Sequence, residues 1–170
     1  DEDAAARDPP AALGVARCEV VEPVSGAGRR RIVVYFACPE GTPGQLYPVP
    51  RMTPDSVSAM EAALRALLSR PTDAERSQGF TSLLGPHTSN VLRSVRFASG
   101  TGTLSVDFDG LTTRVPDVPG ARSFLPPGVM AELTWTIFAP FPEVQAVRFS
   151  EGGSERAFWA STARAKNSCE

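Results

Sequence analysis

The stretch IVVYFACPEGTPGQLYPVPR, residues 32–51, decides the fold because it joins two segments that both have strand character. A run of β-branched and aromatic residues ends at Cys38, and a second run begins at Leu46. The loop between them holds two glycines and two prolines, a composition typical of the turn in a hairpin. The sequence therefore predicts paired strands, and Pro48 and Pro50 place the second strand at a sheet edge because proline cannot donate to a ladder.

After the hairpin, the spacing of the apolar residues changes from that of a strand to that of a helix, which predicts a helix between residues 53 and 70. Thr53 is a suitable N-cap, Pro54 fits the first helical position, and Pro71 ends the helix. The apolar residues recur at helical spacing and predict one buried face: Val57, Met60, Leu64, Leu67 and Leu68.

The remaining elements are predicted from the alternation typical of strands and the 3.6-residue repeat typical of helices. Residues 91–98 and 103–109 predict a hairpin around the turn SGTG, because apolar and polar residues alternate in its second half. A second helix is expected over Pro127–Phe138, a strand over Val144–Phe149, and a last strand over Arg156–Ala160.

The order strand–strand–helix–strand–strand–helix–strand predicts an α+β fold. Its economical packing is a small mixed β-sheet with two main helices on one face. We expect residues 1–27 to be a partly disordered linker or arm, because they begin with an acidic, Pro/Ala-rich segment with little to bury. The domain itself is expected over residues 28–154, followed by a C-terminal extension over residues 155–170.

Composition narrows the classes of partner. The chain has 170 residues and a net charge of −2, which gives no electrostatic reason to expect a nucleic-acid partner. No apolar run reaches the roughly 18 residues that a membrane-spanning helix needs, and no signal peptide is visible. A membrane association is therefore expected only through a lipid anchor on a longer precursor.

A search for reactive groups yields few candidates. His87 is the single histidine, and no nucleophile elbow, metal-ligand cluster or phosphate loop accompanies it. Asp107 and Asp109 point to one side of a strand, where they could share a proton or a cation, although a solvated face is the favoured interpretation. We expect no catalytic residue, no metal site and no cofactor, hence a binding or scaffolding domain.

The segments IVVYF and LYPVPR, with the following AALRALLSRPTDAERSQGFTSLLGPHTSNVLRSVRFASGTGTLSVDF, resemble the GerMN domain, the sporulation and spore-germination domain family. The matching positions are Tyr35, Phe36, Leu46, Pro48, Val49, Arg51, Leu67, Leu68, Pro71, Thr72, Glu75, Gly79, Ser82, Thr88, Val106 and Asp107. The later segment AELTWTIFAPFPEVQAVRF is similar through Thr136, Phe141, Pro142, Val144 and Val147. The resemblance covers residues 31–150, and Glu132 departs from it by standing where many members have glutamine.

The resemblance implies an extracytoplasmic domain of a bacterial cell-envelope protein, secreted or anchored as a lipoprotein, with no catalytic residues. The first hypothesis is a module that binds another envelope protein for assembly or regulation, through exposed strand edges. The alternative is a module that binds peptidoglycan or another cell-wall glycan, with Trp135, Trp159 and Asp109 as its ligand surface. A hydrolase that uses His87 is a third and weaker alternative.

The three cysteines offer a test of the compartment. Cys38 shares the parity of the buried side of its strand, which predicts a free buried thiol. Cys18 and Cys169 lie outside the region of resemblance, and in an oxidising envelope they are expected to form a disulfide. The competing hypothesis is three free thiols in a cytoplasmic protein.

Overall fold

The computed structural model describes residues 18–115 and 125–163. Residues 1–17 of the linker or arm predicted over residues 1–27 lie outside this part of the chain, as do most of the loop after Val115 and the end of the C-terminal extension. The elements in chain order are β1 (Arg29–Ala37), β2 (Leu46–Pro54), α1 (Ala59–Leu68), α2 (Asp73–Ser77), a 3₁₀ turn (Pro86–Thr88), β3 (Leu92–Ala98), β4 (Thr103–Phe108), α3 (Leu111–Arg114), α4 (Pro127–Phe138), β5 (Ala146–Glu151) and α5 (Glu155–Ala163).

The opening hairpin is confirmed, since β1 and β2 pair antiparallel over their full lengths. The backbone N–H of Tyr35 donates to Oγ1 of Thr136 on α4, at 3.0 Å, and therefore points away from β2. Tyr35 faces Pro48 and Val33 faces Pro50, so both prolines occupy positions at which the two strands exchange no hydrogen bond. The ladder is consequently intact at Pro48 and Pro50, and the third proline of β2, Pro54, is its last residue.

Helix α1 forms as predicted but begins later. β2 continues to Pro54, and Ser58 rather than Thr53 is the N-cap residue. Thr53 remains in the strand because the backbone of Thr53 pairs with Arg30 and the Thr53 side chain is buried. The predicted apolar face is otherwise in place, since Leu64, Leu67 and Leu68 are buried in the core.

The position of Leu67 gives a direct test of this packing. Leu67 is fully buried, so Leu67→Ala should lower the free energy of unfolding by about 2–5 kcal/mol, measured by urea denaturation. Leu83→Ala is the matched control, because Leu83 is 47% exposed and should lose far less. Equal losses for the two variants would mean that the buried face of α1 is misassigned.

The α+β class is confirmed, but the strands form two sheets where one was predicted. Within the described residues, β1 and β2 form one sheet and β3, β4 and β5 form the other. The second sheet is mixed, because β4 pairs antiparallel with β3 and parallel with β5. Helices α1 and α4 pack against β1 and against each other, and α1 also reaches β3, so one core joins both sheets.

The C-terminal segment differs from its prediction. Arg156–Ala160 was expected as a strand and instead belongs to α5, which packs on β5. Phe158 is fully buried against Phe108 and Phe149, with ring centroids 5.9 and 5.1 Å apart. Phe158, which lies in the predicted C-terminal extension, therefore contributes to the core.

None of the helices in the described part of the chain combines the length and the apolar character that crossing a bilayer requires.

Candidate functional site

The side chain of Arg51 connects β2 to α1 and α2 through four hydrogen bonds. The guanidinium of Arg51 donates to the two carboxylate oxygens of Glu75 at 2.9 and 2.5 Å. It also donates to the carbonyl oxygens of Ala66 at 3.0 Å and Arg70 at 3.1 Å, which lie at the C-terminal end of α1. We call this set of contacts the Arg51 network.

Glu75 is held in the network from two directions. Its carboxylate accepts from the backbone N–H of Thr72 at 2.7 Å, completing the capping box that begins α2. Burial acts to raise the pKa of Glu75, but the hydrogen bonds from Arg51 and Thr72 outweigh it and the pKa lies below its usual value. The carboxylate therefore stays ionised at neutral pH, and its oxygens are occupied by structural donors.

A second buried polar contact ties α4 to the segment before the 3₁₀ turn. Glu132 is only 3% exposed, and its carboxyl accepts from Oγ of Ser82 at 2.6 Å. The Ser82 hydroxyl in turn accepts from the backbone N–H of Leu84 at 3.0 Å. Burial raises the pKa of Glu132 to about 8 despite the hydrogen bond from Ser82. Glu132 is thus largely protonated at neutral pH.

The cysteine pairing predicted from the sequence is wrong. Cys18 forms a disulfide with Cys38, with the two Cα atoms 6.1 Å apart, so Cys38 is not a free thiol. The backbone N–H of Cys18 donates to the carbonyl of Gln78 at 2.9 Å, which holds the segment beside the end of β1 where Cys38 lies. Cys169, the predicted partner of Cys18, lies outside the described residues.

The disulfide should stabilise the fold. Cys18→Ser is expected to lower the free energy of unfolding by about 3 kcal/mol, because the bond closes a loop across a sequence separation of 20 residues. Urea denaturation under oxidising conditions measures the loss, and reduced wild type should match the variant. Cys169→Ser is the control and should leave stability unchanged; a comparable loss there would contradict the Cys18–Cys38 pairing.

An exposed aromatic cluster lies on α4. Trp135 is 55% exposed and Phe138 is 40% exposed, and the Trp135 ring lies 5.7 Å from the ring of Tyr35 on β1. A shallow apolar concavity of about 250 Å³ adjoins them, lined also by Thr134 and Ala139. We call Tyr35, Trp135 and Phe138 the α4 aromatic patch.

The residues of the predicted ligand surface fall in different places. Trp159 packs edge-on against Phe149 and Phe158, whereas the Trp135 ring lies beside Tyr35. Asp109 is exposed just after β4, and its backbone N–H donates to the carbonyl of Val91 at 2.7 Å. No contact among the described residues joins Trp135, Trp159 and Asp109 into one cluster.

The other sequence candidates are also placed. His87 lies exposed in the 3₁₀ turn, and no group of three or more His, Cys, Asp or Glu in the described ranges could hold a metal ion. Asp107 does not share a proton with Asp109: its carboxylate accepts from Ser150 and from the backbone of Gly153. Burial opposes ionisation of Asp107, but these hydrogen bonds and nearby Arg93 lower its pKa.

The family model of Germane, described as "Sporulation and spore germination", matches residues 33–157. The chain belongs to the Germane family. This confirms the resemblance to the GerMN domain that was drawn from the opening hairpin and the residues after it.

The fold of this chain is similar to that of a solved structure. It is that of the tandem GerMN domains of the sporulation protein GerM from Bacillus subtilis, with 16% sequence identity and a TM-score of 0.55. The match covers 79% of this chain and 43% of the GerM chain, so the present chain spans less than half of that structure. No curated protein matched this chain.

Sequence reasoning missed Glu132 as a buried ionisable group and Cys38 as a disulfide partner. In the structure Glu132 lies on the buried face of α4 with Val129 and Thr136, which are three positions before it and four after it, a helical spacing that is visible in the sequence. For Cys38 its parity indicated burial correctly, but burial does not identify a bonding partner.

Proposed function

We propose that this Germane-family chain is a non-enzymatic, extracytoplasmic interaction domain of a bacterial cell-envelope protein that is secreted or lipid-anchored. The observation that carries the proposal is the Cys18–Cys38 disulfide, since such bonds form and persist in oxidising compartments. Family membership supports a role connected with sporulation or spore germination. We expect no nucleic-acid partner, because the chain is weakly acidic as a whole.

The compartment is tested by peptide mapping without reduction. In protein exported through its native route, we expect a joined peptide containing Cys18 and Cys38 and an alkylatable Cys169. The same chain retained in a reducing cytosol is the control and should yield three alkylatable thiols. Three alkylatable thiols in the exported protein would contradict an extracytoplasmic role.

The interaction is expected at the α4 aromatic patch, with an envelope protein that offers an apolar surface. Trp135 and Phe138 expose aromatic area on α4, with the Trp135 ring beside Tyr35 of β1, and aromatic residues dominate the energetics of many protein interfaces. The patch does not depend on a strand edge, so it differs from the surface that the sequence suggested.

A photo-crosslinking residue in place of Phe138, introduced in cells, tests this surface. We expect one envelope protein to be captured, and its purified form to bind wild type at least tenfold more tightly than Trp135→Ser. Arg65, exposed on α1, is the control position for both crosslinking and substitution. Equal capture at Arg65, or equal affinity of Trp135→Ser, would reject the patch as an interface.

The alternative function, binding of a cell-wall glycan, rests on the same exposed Trp135 ring beside Tyr35. Exposed aromatic faces pack well against the apolar faces of sugar rings, and the two rings here lie 38° from parallel. Titration with muropeptides should then shift the resonances of Trp135 and Tyr35. No shift at millimolar ligand would exclude this function.

A further inference from the structure

The outer face of the three-stranded sheet is rich in serine and arginine. Register places Arg96 of β3 and Arg148 of β5 directly on either side of Ser105 of β4, so the three residues form one row across the sheet. Neighbouring strands are about 4.8 Å apart, which puts the backbones of the two arginines about 10 Å apart. Two positive side chains thus flank a hydroxyl with no carboxylate in the same row.

The adjacent row across the three strands is Ser94, Asp107 and Ser150, and Asp107 is its carboxylate. Oδ1 of Asp107 accepts from Oγ of Ser150 at 2.6 Å and from the backbone N–H of Gly153 at 2.8 Å. Its Oδ2 lies 3.6 Å from the guanidinium of Arg93. Asp107 is thereby occupied, and it neutralises at most one of the nearby arginines.

The side chains in the centre of this face have no polar partner among the described residues. Arg96, Ser94 and Ser105 make no side-chain hydrogen bond or ion pair there, while Arg148 meets only exposed Glu155 at 3.8 Å. An exposed pair of that length contributes little. The three arginines of this face therefore meet only the engaged Asp107 and the exposed Glu155 among the described residues, although the chain as a whole has a net charge of −2.

The turn after β5 gives this face a concave shape. Gly152 and Gly153 both have positive φ, 58° and 83°, which lets the chain curl back so that Gly153 reaches Asp107. The resulting concavity has a volume of about 580 Å³. It is lined by Arg93, Ser94, Arg96, Ser105, Asp107, Ser150, Gly152 and Gly153.

We propose that this concavity binds a phosphate group, seated above Ser105 between Arg93 and Arg96, with Arg148 at its margin. Guanidinium groups bind phosphate oxygens in paired hydrogen bonds, and the hydroxyls of Ser94 and Ser105 donate from beneath. A phosphate offers oxygens in several directions and can satisfy donors on both sides of the concavity. A carboxylate has two oxygens in one plane and would leave some donors unpaired.

A bound phosphate also relieves the mutual repulsion of the arginines. The site lies on the second sheet, away from the contact of Trp135 with Tyr35 on β1, so it does not rest on the proposed protein interface. Either proposal can fail while the other holds.

The test is a titration of ¹⁵N-labelled protein with inorganic phosphate, at constant ionic strength maintained with chloride. We expect saturable shifts of the amides of Ser94, Arg96 and Ser105. Arg96→Gln should weaken binding at least tenfold, and Ser105→Ala should weaken it severalfold. Arg65→Gln, an exposed arginine on α1, is the matched control and should bind as wild type does.

Further probes identify the source of the phosphate. A glycerol phosphodiester represents a polymer, and vesicles of phosphatidylglycerol and phosphatidylcholine represent a lipid surface. Binding of either probe that is lost in Arg96→Gln supports the site and names its source. The proposal is overturned if phosphate shifts do not saturate, if Arg96→Gln binds as wild type does, or if short duplex DNA binds instead and the substitution does not weaken it.

Discussion

Glu132→Gln should make the protein more stable than wild type at pH 9, while at pH 5 it should give no gain. The carboxyl is 3% exposed, and burial raises its pKa to about 8 in the folded state. In the unfolded chain it titrates near 4.5, the ordinary value. Between these two pH values the folded state binds more protons, so its stability falls as pH rises.

The size of the effect follows from the distance between the two pKa values. A tenfold change in a protonation equilibrium corresponds to about 1.4 kcal/mol, so wild type should lose up to about 5 kcal/mol between pH 4.5 and pH 8 through this group. Glutamine carries no such proton, and its carbonyl can still accept from Ser82. Its amide N–H groups add buried donors, which cost about 1–3 kcal/mol at every pH if unpaired.

Urea denaturation of both proteins at pH 5, 7 and 9 measures the prediction. The difference in unfolding free energy should change by several kcal/mol across the series and reverse in sign. Glu143→Gln, which removes an exposed carboxyl, is the control and should run parallel to wild type. Parallel curves for Glu132→Gln would mean that Glu132 ionises normally in the folded protein.

Arg51→Ala should lower the free energy of unfolding by about 3–5 kcal/mol, since it leaves the carboxylate of Glu75 without its partner. The two side chains are only 16% and 15% exposed, so water replaces the lost contact poorly. The substitution also uncovers the carbonyls of Ala66 and Arg70 and removes the guanidinium 5.3 Å above the Phe36 ring.

Arg65→Ala is the matched control for this prediction. Arg65 pairs with Glu61 one turn away on α1, and its side chain is 49% exposed. Exposed pairs of this kind contribute roughly 0.3–0.5 kcal/mol. If Arg51→Ala lost no more stability than Arg65→Ala, the Arg51 network would not hold α1 and α2 to β2.

Acid offers a second test of the Arg51 network. The pKa of Glu75 lies below its usual value, so this residue contributes stability above about pH 4.5 that is lost as pH falls through its folded pKa. Protonation of Glu75 ends the ion pair in wild type as well. The difference in unfolding free energy between wild type and Arg51→Ala should therefore become smaller as the pH of the denaturation experiment is lowered.

Local signals located several elements correctly. Helix α4 begins at Pro127 and ends at Phe138 as predicted, because a proline starts it and the prolines of the following PFP segment prevent its continuation. The capping box of Thr72 and Glu75 is another feature of this short range, since the two residues are three positions apart. Such features involve residues three or four apart, which is the range over which sequence patterns are informative.

The error at α5 shows where periodicity fails. The run around Phe158 and Trp159 is five residues long, too short to distinguish a strand from a helix by spacing. A better signal lay just before it, since Oγ of Ser154 accepts from the backbone N–H of Ala157 at 3.1 Å and so caps the helix. Glu155 in the first turn supports the same start.

Partners distant in sequence could not be predicted from the residues alone. The Cys18–Cys38 bond and the contact of Glu132 with Ser82 each join segments that are 20 or more residues apart. The division of the strands into two sheets likewise depends on how distant segments pair. The family resemblance identified several polar positions without their roles. In the structure these positions bond elements to one another: Arg51 to Glu75, Thr136 to Tyr35, Ser82 to Glu132, Thr88 to Leu68 and Asp107 to Ser150.

The prolines of β2 bear on self-association. Pro48 and Pro50 sit where the backbone of β2 faces away from β1, so at these two positions the outer side of the strand offers carbonyls but no N–H. If a strand of a second molecule paired with this edge, two of its backbone carbonyls would face proline nitrogens and receive no hydrogen bond. This disfavours growth of a cross-β stack from this side. Pro48 and Pro50 thus protect the β1–β2 hairpin against edge-to-edge association. The N–H groups that these prolines lack would not have bonded to β1, so the hydrogen bonds within the hairpin are unaffected.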